Sequence, residues 1–164
     1  MFSPRSRAVT FGALLLGASS VTAQPSPLAA QLEAQPRAVV DRLFLGMRMG
    51  SASMVRQVFA PDVRFAALDH SDGSAQIAAQ SVDGFVRAVE VSGGAWNEQI
   101  YDVEVRVDDT VASVWAPYTF YLNDRISHCG VNSIELLRGA EGWKITQISD
   151  TRRTEACPDP LGAR

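Results

Sequence analysis

His128 is the residue of this sequence best suited to proton transfer at neutral pH. The chain has two histidines, and an imidazole with a reference pKa of about 6.5 can accept or donate a proton near neutrality. Asn132, on the same predicted strand, could fix the tautomer of this imidazole or hydrogen-bond a ligand carbonyl. The alternative is a hydrogen-bonded structural histidine, because no carboxylate with a matching spacing accompanies it.

The hairpin that carries His128 decides which side chains lie beside it. Asn123-Asp124 is typical of a two-residue hairpin loop, which places Leu122 opposite Arg125. Without a bulge, the alternation of side chains then gives the sheet two different faces. One face carries aromatic and polar residues, namely Trp115, Thr119, Tyr121, His128 and Asn132. The other is mainly apolar and carries Val114, Tyr118, Phe120, Leu122, Cys129 and Val131.

The aromatic and polar face is the predicted functional face. Its candidate ligand-binding residues are Trp115, Tyr121, His128 and Asn132, although the same face could instead meet a second subunit. Proline cannot donate to a strand ladder and often marks a bulge, so Pro117 is the position that could change this assignment. A bulge there would move Trp115 to the face opposite His128.

Two charged clusters have simpler structural explanations. Asp69 and His70 precede Ser71-Asp72-Gly73, whose residue types are typical of a turn, although an Asp-His pair could also lie at a cavity mouth. Asp150 and Arg152 share a strand face and predict an ion pair, although an arginine could instead bind an anionic ligand. The sequence has no Gly-rich phosphate loop, nucleophile elbow or metal-ligand motif. We therefore expect neither a metal nor a cofactor.

The N-terminus predicts export. Arg5 and Arg7 precede an uncharged apolar run over residues 8–18, and Val21-Thr22-Ala23 offers small residues for a signal peptidase. The run is shorter than the roughly 20 residues that span a bilayer, so no permanent membrane anchor is expected. Cleavage after Ala23 removes two of the 15 basic residues and none of the 18 acidic ones. The resulting excess of acidic residues disfavours nucleic acid as a partner, and the location is expected to be periplasmic or secreted.

An exported chain can keep its two cysteines oxidised, so Cys129 and Cys157 are expected to form a disulfide. Closing this loop would stabilise the fold by roughly 3 to 4 kcal/mol in the chain-entropy model. If Arg138 faces Trp143 across the last turn, Cys129 lies opposite Arg152. The tail must then double back to bring Cys157 alongside, and the prolines that follow Cys157 favour such a bend.

The remaining pattern predicts one α+β domain. We expect a signal peptide over 1–23, a flexible linker over 24–35, the domain over 36–157 and a tail over 158–164. Apolar spacing predicts a helix from Pro36 to Gly50, a second capped by Ser51 and a third capped by Ser81 and ended by Gly93-Gly94. One strand lies between the second and third helices. Four antiparallel strands follow, beginning near Tyr101.

This order of elements resembles the nuclear transport factor 2-like superfamily. Phe59 to Phe65 is similar to the entry of the first strand in SnoaL-like and ketosteroid isomerase-like members. The segments Trp115 to Tyr121, Ser127 to Val131, Gly142 to Ile145 and Asp150 to Arg153 resemble the putative lumazine-binding group. The resemblance implies three helices packed on a strongly curved antiparallel sheet, as a cone that can hold a small, largely apolar ligand. A homodimer is also expected.

Three functions are compatible with this resemblance, because the fold hosts binders and enzymes alike. The first is a non-catalytic module that binds a small apolar or heteroaromatic molecule. The second is an acid–base isomerase or dehydratase with His128 as base and a tyrosine as oxyanion donor. A ketosteroid isomerase-type site needs a carboxylate beside a phenol; Tyr118 or Tyr121 could supply the phenol, but no carboxylate is evident. The third is a structural dimerisation domain.

Overall fold

In the part of the chain that the structure describes, three helices pack on one curved, mixed sheet that does not close into a barrel. The computed structural model describes residues 26–69 and 76–162. The helices are α1 (Pro27–Arg48), α2 (Ala52–Val58) and α3 (Val82–Ser92). The strands are β1 (Phe59–Asp69), β2 (Gln76–Gln80), β3 (Trp96–Ile100), β4 (Glu104–Asp108), β5 (Val111–Leu122), β6 (Arg125–Gly139) and β7 (Gly142–Asp150). Within the described residues, no helix has the length and hydropathy needed to cross a membrane.

The first helix is longer than the sequence predicts. It begins at Pro27 and passes through Pro36, so the predicted linker over 24–35 and the predicted helix start at Pro36 are both wrong for the described residues. Alanine, leucine and glutamine dominate residues 28–35 and are strong helix formers. Pro27 suits a first helical position, whereas Pro36 is tolerated inside the helix and costs one backbone hydrogen bond. The predicted signal peptide over 1–23 lies outside the described residues.

The helix caps are confirmed. The Ser51 hydroxyl accepts a hydrogen bond from the Met54 backbone amide at the start of α2, and Ser81 does the same with Gly84 at the start of α3. Gly93 ends α3 in a left-handed conformation with φ of 59°, which glycine adopts without steric cost. These caps fix where the helices meet the sheet.

The sheet has the order β2-β1-β7-β6-β5-β3, with β4 also paired to β5. It is mixed rather than purely antiparallel, because β1 runs parallel to β7. The predicted strand beginning near Tyr101 starts later, at Glu104, as β4, and the preceding strand β3 is not predicted; the chain turns between them at Asp102, which has a positive φ of 47°. Both strands pair with β5, β3 near the end of β5 and β4 near its start.

The hairpin of β5 and β6 contains one bulge that the sequence does not predict. Leu122 faces Arg125 and Tyr121 faces Ile126, as expected, but Phe120 faces His128. Ser127 is the extra residue, and every later pair is shifted by one. Pro117, the expected position of a bulge, pairs regularly with Val131.

The core lies between the helices and the concave side of the sheet. It is built from fully buried aliphatic residues of both layers, among them Val40 and Leu43 of α1, Val89 of α3, and Ile134, Leu136 and Ile145 of the sheet. Burying side chains of this size contributes about 1.5 to 3 kcal/mol each.

The C-terminal tail covers part of the convex side of the sheet. The predicted disulfide between Cys129 and Cys157 is present, with a Cα–Cα distance of 5.5 Å. Cys129 pairs with Arg153 rather than with Arg152, because a second bulge lies between Glu135 and Leu136 in the pairing with β7. The disulfide therefore holds residues beyond 153 against β5 and β6.

Candidate functional site

A cavity of about 620 Å³ lies between the helices and the concave side of the sheet. Its wall is mostly apolar, with contributions from α1, α3 and six strands. The apolar lining residues include Leu43, Phe44, Met47, Phe65, Phe85, Ala88, Trp96, Phe120, Leu122, Ile134 and Ile148. The polar lining residues at one end are Glu98, Tyr118, His128, Asn132, Asp150 and Arg152. Ligand sites commonly combine such an apolar body with a few convergent polar groups.

Aromatic rings run along the cavity wall in continuous contact. Phe65 and Phe85 meet edge to face with centroids 5.1 Å apart, and Phe85 lies 6.1 Å from Trp96. Trp96 contacts Phe120 at 5.7 Å, and Phe120 stacks on His128 at 4.8 Å. These separations are within the favourable range for aromatic pairs. The rings thereby form one continuous aromatic part of the wall.

Glu98 carries one of the two carboxyl groups at the polar end of the cavity. It lies on β3 opposite Phe120, and its Oε1 accepts a hydrogen bond of 2.7 Å from Nδ2 of the buried Asn132. Burial raises the pKa of the Glu98 carboxyl to about 7; the hydrogen bond from Asn132 lowers it, and the charge of Asp150 raises it further. The group can therefore exchange a proton near neutral pH.

Asp150, Arg152 and Tyr118 form a second polar group beside Glu98. Nε of Arg152 donates to Oδ2 of Asp150 at 2.6 Å, which confirms the predicted ion pair. The hydroxyl of Tyr118 donates to the Thr151 carbonyl at 2.9 Å and lies 3.4 Å from the same Asp150 oxygen. Burial raises the pKa of Tyr118, and the charges of Glu98 and Asp150 raise it further. Tyr118 is therefore a protonated donor at neutral pH.

Tyr118 reaches the Thr151 carbonyl because the residue opposite it has no side chain. Tyr118 pairs with Gly130, and a Cβ at Gly130 would lie only 1.8 Å from the Thr151 carbonyl oxygen. Any larger residue would push the chain after β7 away from the sheet. Gly130 thus allows the segment that carries Arg152 to fold over the polar end of the cavity.

His128 lies at the same end and is half-buried. Its ring stacks on Phe120 and meets Tyr118 edge to face at 5.8 Å, and its Nδ1 is 3.2 Å from the Ser127 hydroxyl. Burial lowers the pKa of His128, and the nearby charge of Arg152 lowers it further. A pKa below the reference value near 6.5 leaves the imidazole mainly neutral at pH 7.

The structure brings together only two of the four predicted ligand-binding residues. His128 and Asn132 line the cavity, whereas Trp115 and Tyr121 lie on the convex side of the sheet. The prediction of one shared face is wrong, because the bulge at Ser127 reverses the side on which every later residue of β6 points. His128 consequently lies beside Tyr118 and Phe120 in the cavity.

On the convex side, the tail covers part of the predicted functional face. Tyr121 is buried, and its hydroxyl donates to the Asp159 carboxylate. Thr119 is also buried and donates to the Pro158 carbonyl at 2.8 Å. Residues 158 and 159 therefore pack on the sheet instead of forming a free tail. Trp115 lies beyond the tail and is 51% exposed.

Glu98 is the site residue that the sequence interpretation misses. The segment Trp96-Asn97-Glu98-Gln99-Ile100 forms β3, and its first, third and fifth residues face the concave side. A carboxylate at the central inward position, between Trp96 and Ile100, is the signal that could have identified it. The predicted strand begins at Tyr101, one residue after β3 ends, so the predicted alternation does not include Glu98. Among the described residues, no three His, Cys, Asp or Glu side chains are grouped to hold a metal ion.

Solved structures with the same architecture show which fold this is. No protein-family model and no curated protein sequence matches the chain. An NTF2-like protein of unknown function from Shewanella baltica superposes with a TM-score of 0.61 at 11% identity, over 76% of this chain and 95% of that one. For a putative dehydratase from the NTF2-like family of Streptomyces avermitilis, the TM-score is 0.58 at 12% identity, over 76% and 97%.

A third structure, a putative ketosteroid isomerase from Shewanella frigidimarina, superposes with a TM-score of 0.54 at 17% identity, over 73% of this chain and 96% of that one. These matches cover nearly the whole of each neighbour. They support the fold of helices packed on a curved, mixed sheet that is described above. The chain has the fold of the NTF2-like, or nuclear transport factor 2-like, proteins.

Proposed function

We propose that this domain binds a small, largely apolar molecule in the cavity and orients it by a polar group. The observation that carries this proposal is a cavity of about 620 Å³ with a mostly apolar wall and one cluster of charged and polar side chains around Glu98. Apolar lining supplies most of the binding free energy, and a few placed polar groups select the orientation of the ligand.

The contacts within the wall support a preformed site. The aromatic rings contact one another, and Asn132 holds Glu98 through a hydrogen bond. Little ordering is then required when a ligand binds, which favours affinity.

Filling the cavity tests this proposal. Ala88 lies on α3 and lines the cavity, so Ala88→Phe should reduce the space available to a ligand. Ala38→Phe on the exposed side of α1 is the matched control. We expect native mass spectrometry of protein purified from its own cell envelope to find a bound small molecule with the unchanged chain and with Ala38→Phe. Equal occupancy in a folded Ala88→Phe protein would contradict binding in this cavity.

A second candidate function is acid–base catalysis, as in an isomerase or dehydratase. Glu98 favours it, because a buried carboxyl with a pKa of about 7 can take and return a proton at neutral pH. Tyr118 is a protonated hydroxyl nearby. In this proposal Glu98 replaces His128 as the base, since the aromatic packing and low pKa of His128 suit a neutral wall residue.

The proposed acid–base catalysis can be tested by measuring reaction rates. A cyclic β,γ-unsaturated ketone is a suitable probe, because moving one proton converts it to a conjugated enone that absorbs in the ultraviolet. Glu98→Gln should lower the rate by about 100-fold or more, and the unchanged protein should become faster as pH rises through 7, as Glu98 loses its proton. A rate that is unaffected in Glu98→Gln would exclude this role for Glu98.

Export is proposed together with either function. Its support is the N-terminal segment pattern and the Cys129–Cys157 disulfide, which is typical of oxidising compartments. The mature chain is expected to begin near Gln24. Intact-mass measurement on protein recovered outside the cytoplasm would test this, and a product that keeps Met1 would contradict it.

A homodimer is also proposed, through the convex side of the sheet. Val111, Trp115 and Leu137 are each about half exposed there, and exposed apolar groups on one surface favour an interface. Light scattering should give twice the monomer mass for the unchanged chain. Trp115→Arg should give the monomer mass if this face is the interface.

A further inference from the structure

The polar end of the cavity contains one carboxyl group that lacks a cationic partner. Within the described residues, the Asp150 carboxylate is paired with Arg152, while the one side-chain hydrogen bond of Glu98 comes from the neutral amide of Asn132. Arg152 acts on Glu98 electrostatically, but its Nε is bound to Asp150. A buried carboxylate without a cation carries a desolvation cost that a positively charged ligand could offset.

Apart from Arg152, which is paired with Asp150, the groups described around Glu98 supply no positive charge at pH 7. On β5, Tyr118 is a neutral hydroxyl whose proton is donated to the Thr151 carbonyl. On β6, His128 has a lowered pKa and is mainly neutral at pH 7. Asp150 on β7 adds negative charge, which its pairing with Arg152 offsets. The charge that this end of the cavity lacks is therefore positive.

The aromatic wall favours the same kind of ligand. Trp96 and Phe120 contact each other beside Glu98, and Phe120 continues to the His128 ring. Aromatic faces attract ammonium groups through their quadrupole, and this attraction is strongest where water is excluded. Flat apolar groups also pack well against such rings. A carboxylate beside aromatic rings is suited to bind a molecule that has a flat apolar part and a positively charged group.

We propose that the ligand of this cavity is a flat aromatic or alicyclic molecule with a basic nitrogen, whose protonated form pairs with Glu98. The inference rests on the proposed binding function and adds the chemical class of the ligand. Oε1 of Glu98 is used by Asn132, so the second carboxylate oxygen receives the ammonium group, and the aromatic wall receives the body.

Three probes with one body and different polar groups test this class. They are 2-naphthylmethylamine, 2-naphthylmethanol and 2-naphthoate, and their affinities for the purified protein are measured by calorimetry at pH 8. We expect the amine to bind about tenfold more tightly than the alcohol, because a charged hydrogen bond exceeds a neutral one by roughly that factor. Naphthoate should bind most weakly, since its charge repels Glu98.

Two variants test whether Glu98 causes the tighter binding of the amine. Glu98→Gln should bind the amine and the alcohol equally, whereas Glu135→Gln should keep the preference. Glu135 lies on the same sheet and faces away from the cavity, so it is a matched change of charge. In the unchanged protein the preference for the amine should also fall between pH 8 and pH 5.5, as Glu98 becomes protonated. This pH readout does not require the variant to fold.

The outcomes separate this inference from the binding function. If the alcohol binds as tightly as the amine, or naphthoate binds most tightly, the basic nitrogen is wrong and binding in the cavity still stands. If none of the three probes binds although native mass spectrometry finds a bound molecule in the unchanged protein, the ligand class is wrong and binding in the cavity still stands. A preference for the amine that persists in folded Glu98→Gln would also overturn the assignment to Glu98.

Discussion

Asn132 and Glu98 are hydrogen-bonded over an intervening strand, from Nδ2 on β6 to Oε1 on β3 at 2.7 Å. The pairing of β5 explains how they meet, since Asn132 faces the small Ala116 and Glu98 faces Phe120. The short side chain of Ala116 leaves room above β5 for the contact. Asn132 is therefore a positioning residue for the only carboxyl of β3.

Asn132→Ala should raise the pKa of Glu98 further above 7. The hydrogen bond from Asn132 favours the charged carboxylate and lowers the pKa of Glu98, whereas burial raises that pKa. Without the amide, the effect of burial on the pKa is no longer offset by this hydrogen bond. Carbon-detected NMR titration of the glutamate side chains would measure the shift. Ser133→Ala, on the neighbouring convex-facing position, is the control. An unchanged or lower Glu98 pKa in Asn132→Ala would contradict the proposed positioning.

Glu98→Gln should stabilise the fold at alkaline pH. Folding raises the pKa of Glu98 from 4.5 to about 7, so the folded state binds this proton more tightly and the wild type loses stability as pH rises between these values. The free energy of unfolding of Glu98→Gln relative to wild type should increase by up to about 3 kcal/mol between pH 4 and pH 8.

Urea unfolding at several pH values measures this difference. Glu90→Gln, an exposed position on α3, provides the comparison for the loss of one carboxylate at the surface. Curves for Glu98→Gln and wild type that stay parallel from pH 4 to pH 8 would show that Glu98 titrates alike in the folded and unfolded states.

Gly130→Ala should destabilise the protein and disturb the polar end of the cavity. The added Cβ would lie 1.8 Å from the Thr151 carbonyl oxygen, so the segment after β7 must move, at a cost of about 2 kcal/mol or more. Gly139→Ala on the same strand meets nothing within 4 Å and should change stability little. Thermal unfolding compares the two variants. Equal effects would mean that the chain after β7 is not held against Gly130.

Removal of the disulfide should weaken the cover on the convex side. Cys129→Ala combined with Cys157→Ala should lower the free energy of unfolding by about 3 to 4 kcal/mol in the chain-entropy model. It should also increase hydrogen exchange of the backbone over residues 153–162, where the tail is held by Cys157 and by contacts of Thr119 and Tyr121. Thiol titration of the unfolded, unreduced wild type should find no free thiol; two would contradict the disulfide.

Features fixed by a few neighbouring residues could be predicted from the sequence. Ser51 and Ser81 begin helices because their hydroxyls bond amides within the next turn. Asn123 and Asp124 form the hairpin loop and both have positive φ, which these residue types tolerate. The fold could be predicted as well, because the order of elements and the local motifs resemble one superfamily.

The site could be predicted only in part, since it depends on contacts between distant segments. The bulge at Ser127 follows no local signal, yet it decides whether His128 shares a side with Trp115 or with Phe120. Glu98 and Asn132 lie 34 residues apart in the chain, and their contact depends on the register of two strand pairs. The C-terminal tail covers the convex surface around Tyr121, which a ligand or a second subunit would otherwise contact. The alternation of residues along a strand predicts which side a residue faces, but not which other segment covers that side.

The single extra residue at Ser127 also affects how the residues of this chain must be aligned with those of its structural neighbours. Because the bulge inserts one residue, the odd-numbered and even-numbered positions of β6 exchange sides of the sheet there. Beyond the bulge, His128 and Asn132 face the cavity and Cys129 faces the convex side. A gap misplaced by one residue in this hairpin would equate cavity residues of one protein with surface residues of the other. Residue roles can be transferred across this hairpin only after the bulges themselves have been superposed.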